Sequence, residues 1–201
     1  NPLDLAQAYN VFASQGSSAG SLLGSETPRP VSVLLVKDSS GQVLLEQTDS
    51  QKLAVLSAPL AYLVHNVFSD EPARWPSLGY PNALEIGRPA AALTAVIPGQ
   101  NQTWAAGYTR HFTTVVWLGL SGDADTSQQL DARPAAGIWH AVMLQAENGL
   151  PVEDWSVPAG ISTVEVCDPS GMLPDRDCPN RVSEWFLAGS EPTTTDTLYR
   201  T

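Results

Sequence analysis

Positively charged side chains are scarce in this chain. Its 201 residues include ten Lys or Arg against 21 Asp or Glu, which gives a formal net charge of −11. Such a charge repels phosphate backbones and anionic lipid headgroups. The acidic residues are dispersed along the chain, as on an ordinary solvated surface. We therefore expect no nucleic-acid partner.

Long hydrophobic runs are also absent. No apolar stretch approaches the ~18 residues that a membrane-spanning helix needs. The chain begins with Asn1-Pro2-Leu3 instead of a methionine or a basic leader. This pattern predicts a piece of a longer protein, in which a membrane anchor or export signal would lie upstream. The 43% hydrophobic content still suffices for a buried core.

Cysteine is rare as well, with Cys167 and Cys178 eleven positions apart. A zinc site would need two more Cys or His nearby, and a redox pair would usually be Cys-x-x-Cys, so we expect no metal or cofactor. A disulfide that closes a loop is favoured over two free thiols. It would stabilise the fold by about 2–3 kcal/mol and would place the domain in an oxidising, extracytoplasmic space.

Apolar residues at helical spacing predict three helices. The first covers residues 2–13, and the second begins after Ser57 as N-cap, with a proline in its first turn. The third runs over about residues 135–147, and the side chains that we expect it to pack are Ile138, Trp139, Val142 and Met143.

Strand patterns alternate with these helices. Residues 31–37 and 42–46 flank Asp-Ser-Ser-Gly and predict a β-hairpin. Residues 87–119 predict three consecutive strands separated by turns.

Proline dominates two other segments. Three prolines between residues 72 and 81 predict an irregular connection into the strand triplet. From residue 151 onward the sequence predicts an extended chain with one short strand at residues 161–166 and a mostly structureless tail after Pro192.

Four sequence blocks follow one another in an order that is typical of a known family. Residues 2–9 are similar to the pattern S/T-P-L-E-L-A-x-A-Y, and residues 104–119 to D-A-W-F-x-G-Y-T-P…V-W-x-G. Residues 136–143 are similar to A-x-P-I-W-x-x-F-M, and residues 166–192 to V-C-x-x-S-G-x-x-x-x-x-C-P…F-x-x-G-x-x-P. Together they resemble the C-terminal half of the transpeptidase domain of class A penicillin-binding proteins.

This resemblance implies an α+β fold, in which an antiparallel sheet is flanked by helices as part of a penicillin-binding transpeptidase (serine β-lactamase-like) fold. It implies that residues 1–150 form the C-terminal part of a transpeptidase-like domain. Residues 151–201 would be a proline-rich extended C-terminal segment with the disulfide loop. Trp117 and Trp139 are expected core aromatics, and Tyr108 is expected to pack beside the sheet.

Leu93-Thr94-Ala95 stands where the family has Lys-Thr-Gly in its strand G-R-P-x-A-G-K-T-G-T-T. In the family, that lysine supplies positive charge for the substrate carboxylate and for proton transfer. The glycine lets the substrate backbone lie against the strand edge as an added strand. Leucine offers neither charge nor donor. The resemblance therefore implies a degenerate substrate-binding position and no catalytic residue within this chain.

The family's nucleophile would lie elsewhere. It is the serine of a Ser-x-x-Lys motif, assisted by a Ser-x-Asn motif. The lysines of this chain, Lys37 and Lys52, follow Leu34 and Asp49 at the serine position, so Ser-x-x-Lys is absent. In the family's order both motifs would precede Asn1.

Three functions remain open from the sequence. The leading hypothesis is a piece of a peptidoglycan biosynthesis protein with an inactive transpeptidase site and a structural or recruiting role. Its partners would be a peptidoglycan precursor or cell-wall assembly proteins, outside a membrane to which the full-length protein is anchored. The alternatives are a working D,D-transpeptidase whose nucleophile lies upstream, and a secreted binding module that has only the sheet.

Other chemical signals are weaker. Residues 16–20 fit Gly-x-Ser-x-Gly, but they follow a predicted helix instead of a strand, which is unlike a nucleophile elbow. The histidines at 65, 111 and 140 are isolated, which favours packed or surface side chains over catalytic ones. Asp123 and Asp125 alone are too few ligands to indicate a cation site.

Overall fold

The protein has an α+β fold, as predicted. A computed structural model describes residues 1–22, 26–47, 50–97, 99, 101–119 and 131–199. The helices within these ranges are α1 Pro2–Ala13, α2 Ala58–Ser69, α3 Glu71–Leu78 and α4 Arg133–Ala146. The strands are β1 Ser17–Gly20, β2 Leu35–Lys37, β3 Val43–Glu46, β4 Gln51–Ala54, β5 Ala91–Ile97, β6 Gln102–Tyr108, β7 Thr113–Gly119, β8 Ile161–Cys167 and β9 Arg181–Leu187.

A three-stranded antiparallel sheet in the order β5-β6-β7 lies at the centre, and it confirms the predicted strand triplet. Successive side chains on a strand point to opposite faces. The face with Ala92, Ala105 and Val116 packs against α4, whereas Ala91 and Tyr108 contribute to a second core on the other face. The sheet is therefore covered by helices on both sides.

Helix α4 buries one narrow stripe of side chains. Trp139 and Met143, four positions apart, are fully buried, whereas Ile138 and Val142 are each 44% exposed. The prediction that all four pack inward was therefore wrong for Ile138 and Val142. Residues i and i+4 share one helix face, and the contact with a single sheet covers only that face.

Aromatic side chains fill the opposite face of the sheet. Tyr9 and Phe68 stack with ring centroids 5.6 Å apart, and His65 lies 4.1 Å from Trp155. The Trp155 indole N–H donates a hydrogen bond of 2.8 Å to the carbonyl of Ala13. This contact ties the segment after α4 to the first helix.

The two predicted core tryptophans differ in their burial. Trp139 is fully buried, as predicted, and so is Tyr108, but Trp117 is 48% exposed. Trp117 lies opposite Trp104 of β6, and Trp104 is four residues before the buried Tyr108 on that strand. The aromatic core gathers at the Tyr108 end, which leaves Trp117 partly in solvent.

Three segments differ from the sequence prediction. Helix α3 replaces the predicted irregular connection, because Asp70 caps it by accepting from the Ala73 N–H at 3.1 Å and its first proline falls where no helical N–H is needed. Strand β9, which was not predicted, pairs with β8. The tail is held by a parallel bridge between Leu173 and Thr195, so the prediction of a structureless tail was wrong there.

The predicted hairpin is present as β2–β3, and β1 pairs with β4, although neither of these two strands was predicted. Leu35, Val36, Val43 and Leu44 of the hairpin are all more than a third exposed. Ser57 precedes α2 as predicted, but its side chain makes no capping hydrogen bond.

Replacing Gly107 by alanine should destabilise the fold. A Cβ there would lie 2.6 Å from the Ala91 carbonyl oxygen and 2.7 Å from the Trp139 ring. We expect Gly107→Ala to lower the free energy of unfolding by about 1–3 kcal/mol, because the backbone cannot yield. The control Gly137→Ala, in α4 with open space around it, should instead raise it by up to about 1 kcal/mol. Urea unfolding measures both, and equal effects would contradict this packing.

Stability should fall in mild acid because of His65. Burial lowers the pKa of His65 from 6.5 to about 4, with Asp154 opposing and Arg110 reinforcing the shift. Between those values the unfolded chain binds a proton that the folded chain does not, so stability is lost as the pH falls from 6.5 to about 4. The loss is about 3 kcal/mol at most.

The test compares urea unfolding at pH 7 and pH 4.5. His65→Phe should flatten the difference between the two pH values, and His140→Gln should keep it. A difference of the same size in His65→Phe would assign the acid sensitivity to other groups.

Candidate functional site

Strand β5 forms one edge of the central sheet. Its carbonyl at Ala92 accepts a hydrogen bond of 3.3 Å from Arg74 Nη1, so this oxygen points away from β6. Backbone groups alternate direction along a strand, and the amides and carbonyls of Thr94 and Val96 therefore face the same outer edge. No strand in the described part of the chain pairs with that edge.

The predicted site residues lie together on this strand. Leu93, Thr94 and Ala95 stand opposite Ala106, Ala105 and Trp104 of β6. Leu93 and Thr94 are half-buried, and Ala95 is exposed. Because side chains alternate along a strand, Leu93 and Ala95 lie on the same face of the sheet as Trp104. Thr94 lies on the opposite face, which packs against α4.

Arg74 is a residue that sequence reasoning missed. It is only 7% exposed, and its Nη1 donates to the carbonyls of Phe68, at 2.6 Å, and Ala92. Burial lowers the pKa of its guanidinium, while Glu71, Glu85 and Asp70 oppose that shift. An arginine remains charged in proteins. A fixed positive charge therefore lies at the start of the β5 edge.

No local pattern could have revealed Arg74. It reaches β5 only because α3 forms, and the prolines of that segment predict an irregular chain. The neighbouring acidic residues at 70 and 71 were a weak signal for a partnered cation.

A second polar cluster fixes the entry of β5. Glu147, at the end of α4, is buried and accepts hydrogen bonds from Arg88 and from the Thr109 hydroxyl. His111 Nδ1 lies 3.0 Å from the same carboxylate, and its Nε2 lies 3.7 Å from Glu153. Burial would raise the pKa of Glu147, but the hydrogen bonds from Thr109 and His111 and the charge of Arg88 outweigh it and hold that pKa below its usual value.

This cluster is structural in its chemistry, because its carboxylate is fully engaged. Arg88 also donates to the carbonyls of Leu150 and Pro151, at 3.3 and 3.4 Å. It thereby joins the segment before β5 to the end of α4 and to the chain that follows. Arg88, in the Gly-Arg-Pro before β5, thus has a positioning role.

The remaining candidates do not converge on a site. His140 Nδ1 lies 3.0 Å from the Ala83 carbonyl, and His65 is packed among aromatic rings. Residues 17–20 of the Gly-x-Ser-x-Gly segment form strand β1 after a helix. Asp123 and Asp125 lie outside the described residues. Within the described ranges, no three His, Cys, Asp or Glu side chains are grouped to hold a metal ion.

Cys167 and Cys178 are joined by a disulfide, with Cα atoms 5.9 Å apart. The bridge closes the loop between β8 and β9.

Among the described helices, none is both long enough and apolar enough to cross a lipid bilayer.

Arg88 should contribute strongly to stability. Arg88→Gln leaves the Glu147 carboxylate buried without its cation, so we expect the free energy of unfolding to fall by about 3 kcal/mol. The matched control is Arg181→Gln, which breaks an exposed pair with Glu165 and should cost under about 1 kcal/mol. Thermal and urea unfolding measure both variants. A cost for Arg88→Gln as small as that of the control would contradict a buried pair.

The sequence and the fold of this chain are similar to those of known proteins. Residues 157–201 match the family model described as Penicillin-binding protein 1A, C-terminal domain. Penicillin-binding protein 1A of Clostridium tetani is 27% identical over 198 residues, which cover 96% of this chain and 24% of the relative. Penicillin-binding protein 1A of Escherichia coli is 27% identical over 179 residues, which cover 78% of this chain and 21% of the relative. The chain thus spans about a quarter of the length of these curated relatives.

Two solved structures share the fold. Penicillin-binding protein 1A from Haemophilus influenzae aligns with a TM-score of 0.73 at 21% identity, over 98% of this chain and 33% of that one. The penicillin-binding protein PonA1 from Mycobacterium tuberculosis aligns with a TM-score of 0.63 at 23% identity, over 78% of this chain and 40% of that one. Over nearly its whole length, this chain is therefore similar in sequence to penicillin-binding proteins 1A, and it shares the fold of these two solved structures.

Proposed function

We propose that this chain is part of a peptidoglycan synthesis protein in which the transpeptidase edge has lost its activity and serves a structural or recruiting role. The observation that carries this proposal is Leu93 on strand β5, which the sequence resemblance aligns with the family's lysine. An aliphatic side chain there can neither attract the carboxylate of a peptide substrate nor transfer a proton.

A leucine in place of the lysine weakens the binding of a charged substrate. A hydrogen bond to a charged group contributes about 1.5–3 kcal/mol, and that contribution is lost with leucine. Ala95 adds a methyl group where the family's glycine allows the substrate backbone to approach. The outward backbone groups of Thr94 and Val96 remain available, so the edge retains the means to bind an extended peptide without the means to react with it.

The setting of the protein follows from its chemistry. The disulfide between Cys167 and Cys178 supports an oxidising compartment outside the cytoplasm. The partners would be a peptidoglycan precursor or cell-wall assembly proteins, and membrane attachment would come from a part of the protein outside this chain.

A working D,D-transpeptidase with an upstream nucleophile is the second candidate, and Arg74 is the observation that favours it. Its guanidinium lies at the β5 edge and could replace the charge that Leu93 lacks. A guanidinium cannot give up its proton near neutral pH, however, whereas a lysine can. In this candidate Arg74 would bind the substrate carboxylate, and another group would transfer the proton.

Fluorescent penicillin labelling of the full-length protein tests the proposal. We expect no saturable covalent labelling of the natural protein, because the β5 edge lacks the cation that holds the penicillin carboxylate. The double variant Leu93→Lys with Ala95→Gly should label at least tenfold more strongly. Leu35→Lys, which adds the same charge on the exposed β2–β3 hairpin, is its matched control and should stay unlabelled.

Saturable labelling of the natural protein would overturn the inactive assignment. If Arg74→Gln then abolished that labelling, the second candidate would be established, with Arg74 as the substituting cation.

A further inference from the structure

Two aromatic rings lie exposed beside each other at the C-terminal end of α3. Trp75, on α3, is 39% exposed, and Tyr80, just after the helix, is 72% exposed. Their ring centroids are 4.6 Å apart. We call this pair the aromatic platform. Large exposed aromatic surfaces that are held together in this way mark binding sites more often than scattered apolar residues do.

A hydrogen-bond network holds the Trp75 ring in place. Its indole N–H donates to Glu85 Oε1 at 3.0 Å, and the Asn82 side-chain amide donates to the same oxygen at 2.6 Å. Asn82 is itself fixed, because its amide donates to the Gly79 carbonyl at 3.2 Å and its Oδ1 accepts from the Leu84 N–H at 3.0 Å. The indole is therefore oriented before any ligand arrives, and this preorganisation lowers the cost of binding.

A pocket of about 310 Å³ is lined by residues on both sides of Tyr80 in the chain. Its walls are mostly apolar, with one amide and one guanidinium, and the residues are Leu78, Pro81, Asn82, Ala83, Arg133 and Ala136. Asn82 belongs both to this pocket and to the network that fixes Trp75. A ligand that stacks on the platform could thus place a small substituent with a methyl and an amide in the pocket.

We propose that the aromatic platform binds the glycan of peptidoglycan through an N-acetylated amino sugar. The C–H face of a pyranose ring complements the electron-rich face of an indole or a phenol. The acetamido group would enter the neighbouring pocket, and the sugar hydroxyls would meet Glu85 and Asn82. Glu85 and the net charge of −11 disfavour a polyanionic ligand.

The position of the platform connects it to the peptide edge. Arg74 precedes Trp75 on α3, and its side chain reaches the Ala92 carbonyl at the outer edge of β5. Because Arg74 joins α3 to this edge, we expect a sugar on the platform to direct its attached stem peptide toward Thr94 and Val96. This inference rests on the proposed function in naming peptidoglycan, and it adds the part of that polymer that the protein recognises.

The experiment is an NMR titration of the ¹⁵N-labelled chain, with the Trp75 indole signal assigned by its loss in Trp75→Phe. The probes are chitotetraose, cellotetraose, which lacks the acetamido groups, and a sugar-free stem peptide that ends in D-Ala-D-Ala. We expect chitotetraose to shift the Trp75 indole and cellotetraose to bind at least fivefold more weakly. Tyr80→Ala should weaken chitotetraose binding at least fivefold, whereas Trp117→Ala, at the other exposed tryptophan, should not change it.

Two results would overturn the inference. The first is a Trp75 indole that chitotetraose does not shift, and the second is an equal shift in Tyr80→Ala. The stem peptide reports separately on the amides of Thr94 and Val96, so the glycan inference can fail while the peptide edge still binds. Penicillin labelling involves neither sugar, so it tests the inactive transpeptidase edge independently of glycan binding at the platform.

Discussion

The close approach of helix α4 to strand β6 is the constraint on which the rest of the structure depends. Gly107 has no side chain, so the Trp139 ring can lie directly against the strand. The neighbouring positions carry alanine, at Ala92 and Ala105, which keeps this face of the sheet flat enough for a helix to settle on it. Larger residues there would move the helix away and open the core.

The position of α4 in turn sets the β5 edge. The helix ends at the buried Glu147. Its carboxylate accepts hydrogen bonds from Arg88, in the segment just before β5, and from Thr109, in the turn after β6. Both neighbours of the candidate site are therefore anchored to one carboxylate. The hydrogen bonds to this carboxylate hold the strand in place without the side chains of Leu93 and Ala95.

Local patterns predicted much of this fold, and non-local contacts explain what they missed. The strand triplet and helices α1, α2 and α4 follow from apolar spacing, which depends on neighbouring residues only. Helix α3 escaped prediction because its prolines were weighed without the Asp70 cap, and β9 because its pairing partner lies fourteen or more residues earlier in the chain. The exposure of Trp117 depends on where the helices stop covering the sheet, which no single segment specifies.

The candidate site was located by resemblance and completed by structure. The sequence was enough to predict that Leu93, Thr94 and Ala95 lie on a strand. The direction of the backbone groups at Thr94 and Val96 is evident only from the hydrogen bond between Arg74 and Ala92 in the structure. The aromatic platform was equally hidden, because Trp75 and Tyr80 meet only once α3 has formed.

The hydrogen bond from Trp155 to Ala13 has a consequence for how the chain can be divided. The indole fills the space between the first helix and His65, and Trp185 from β9 packs against Tyr62 on the same side. A shortened protein that stopped at residue 150 would keep every strand of the central sheet, but it would lose Trp155 and Trp185, which fill part of its second core. The apolar faces of the rings in this core would then be exposed to water, so the segment after residue 150 stabilises the earlier part by covering them.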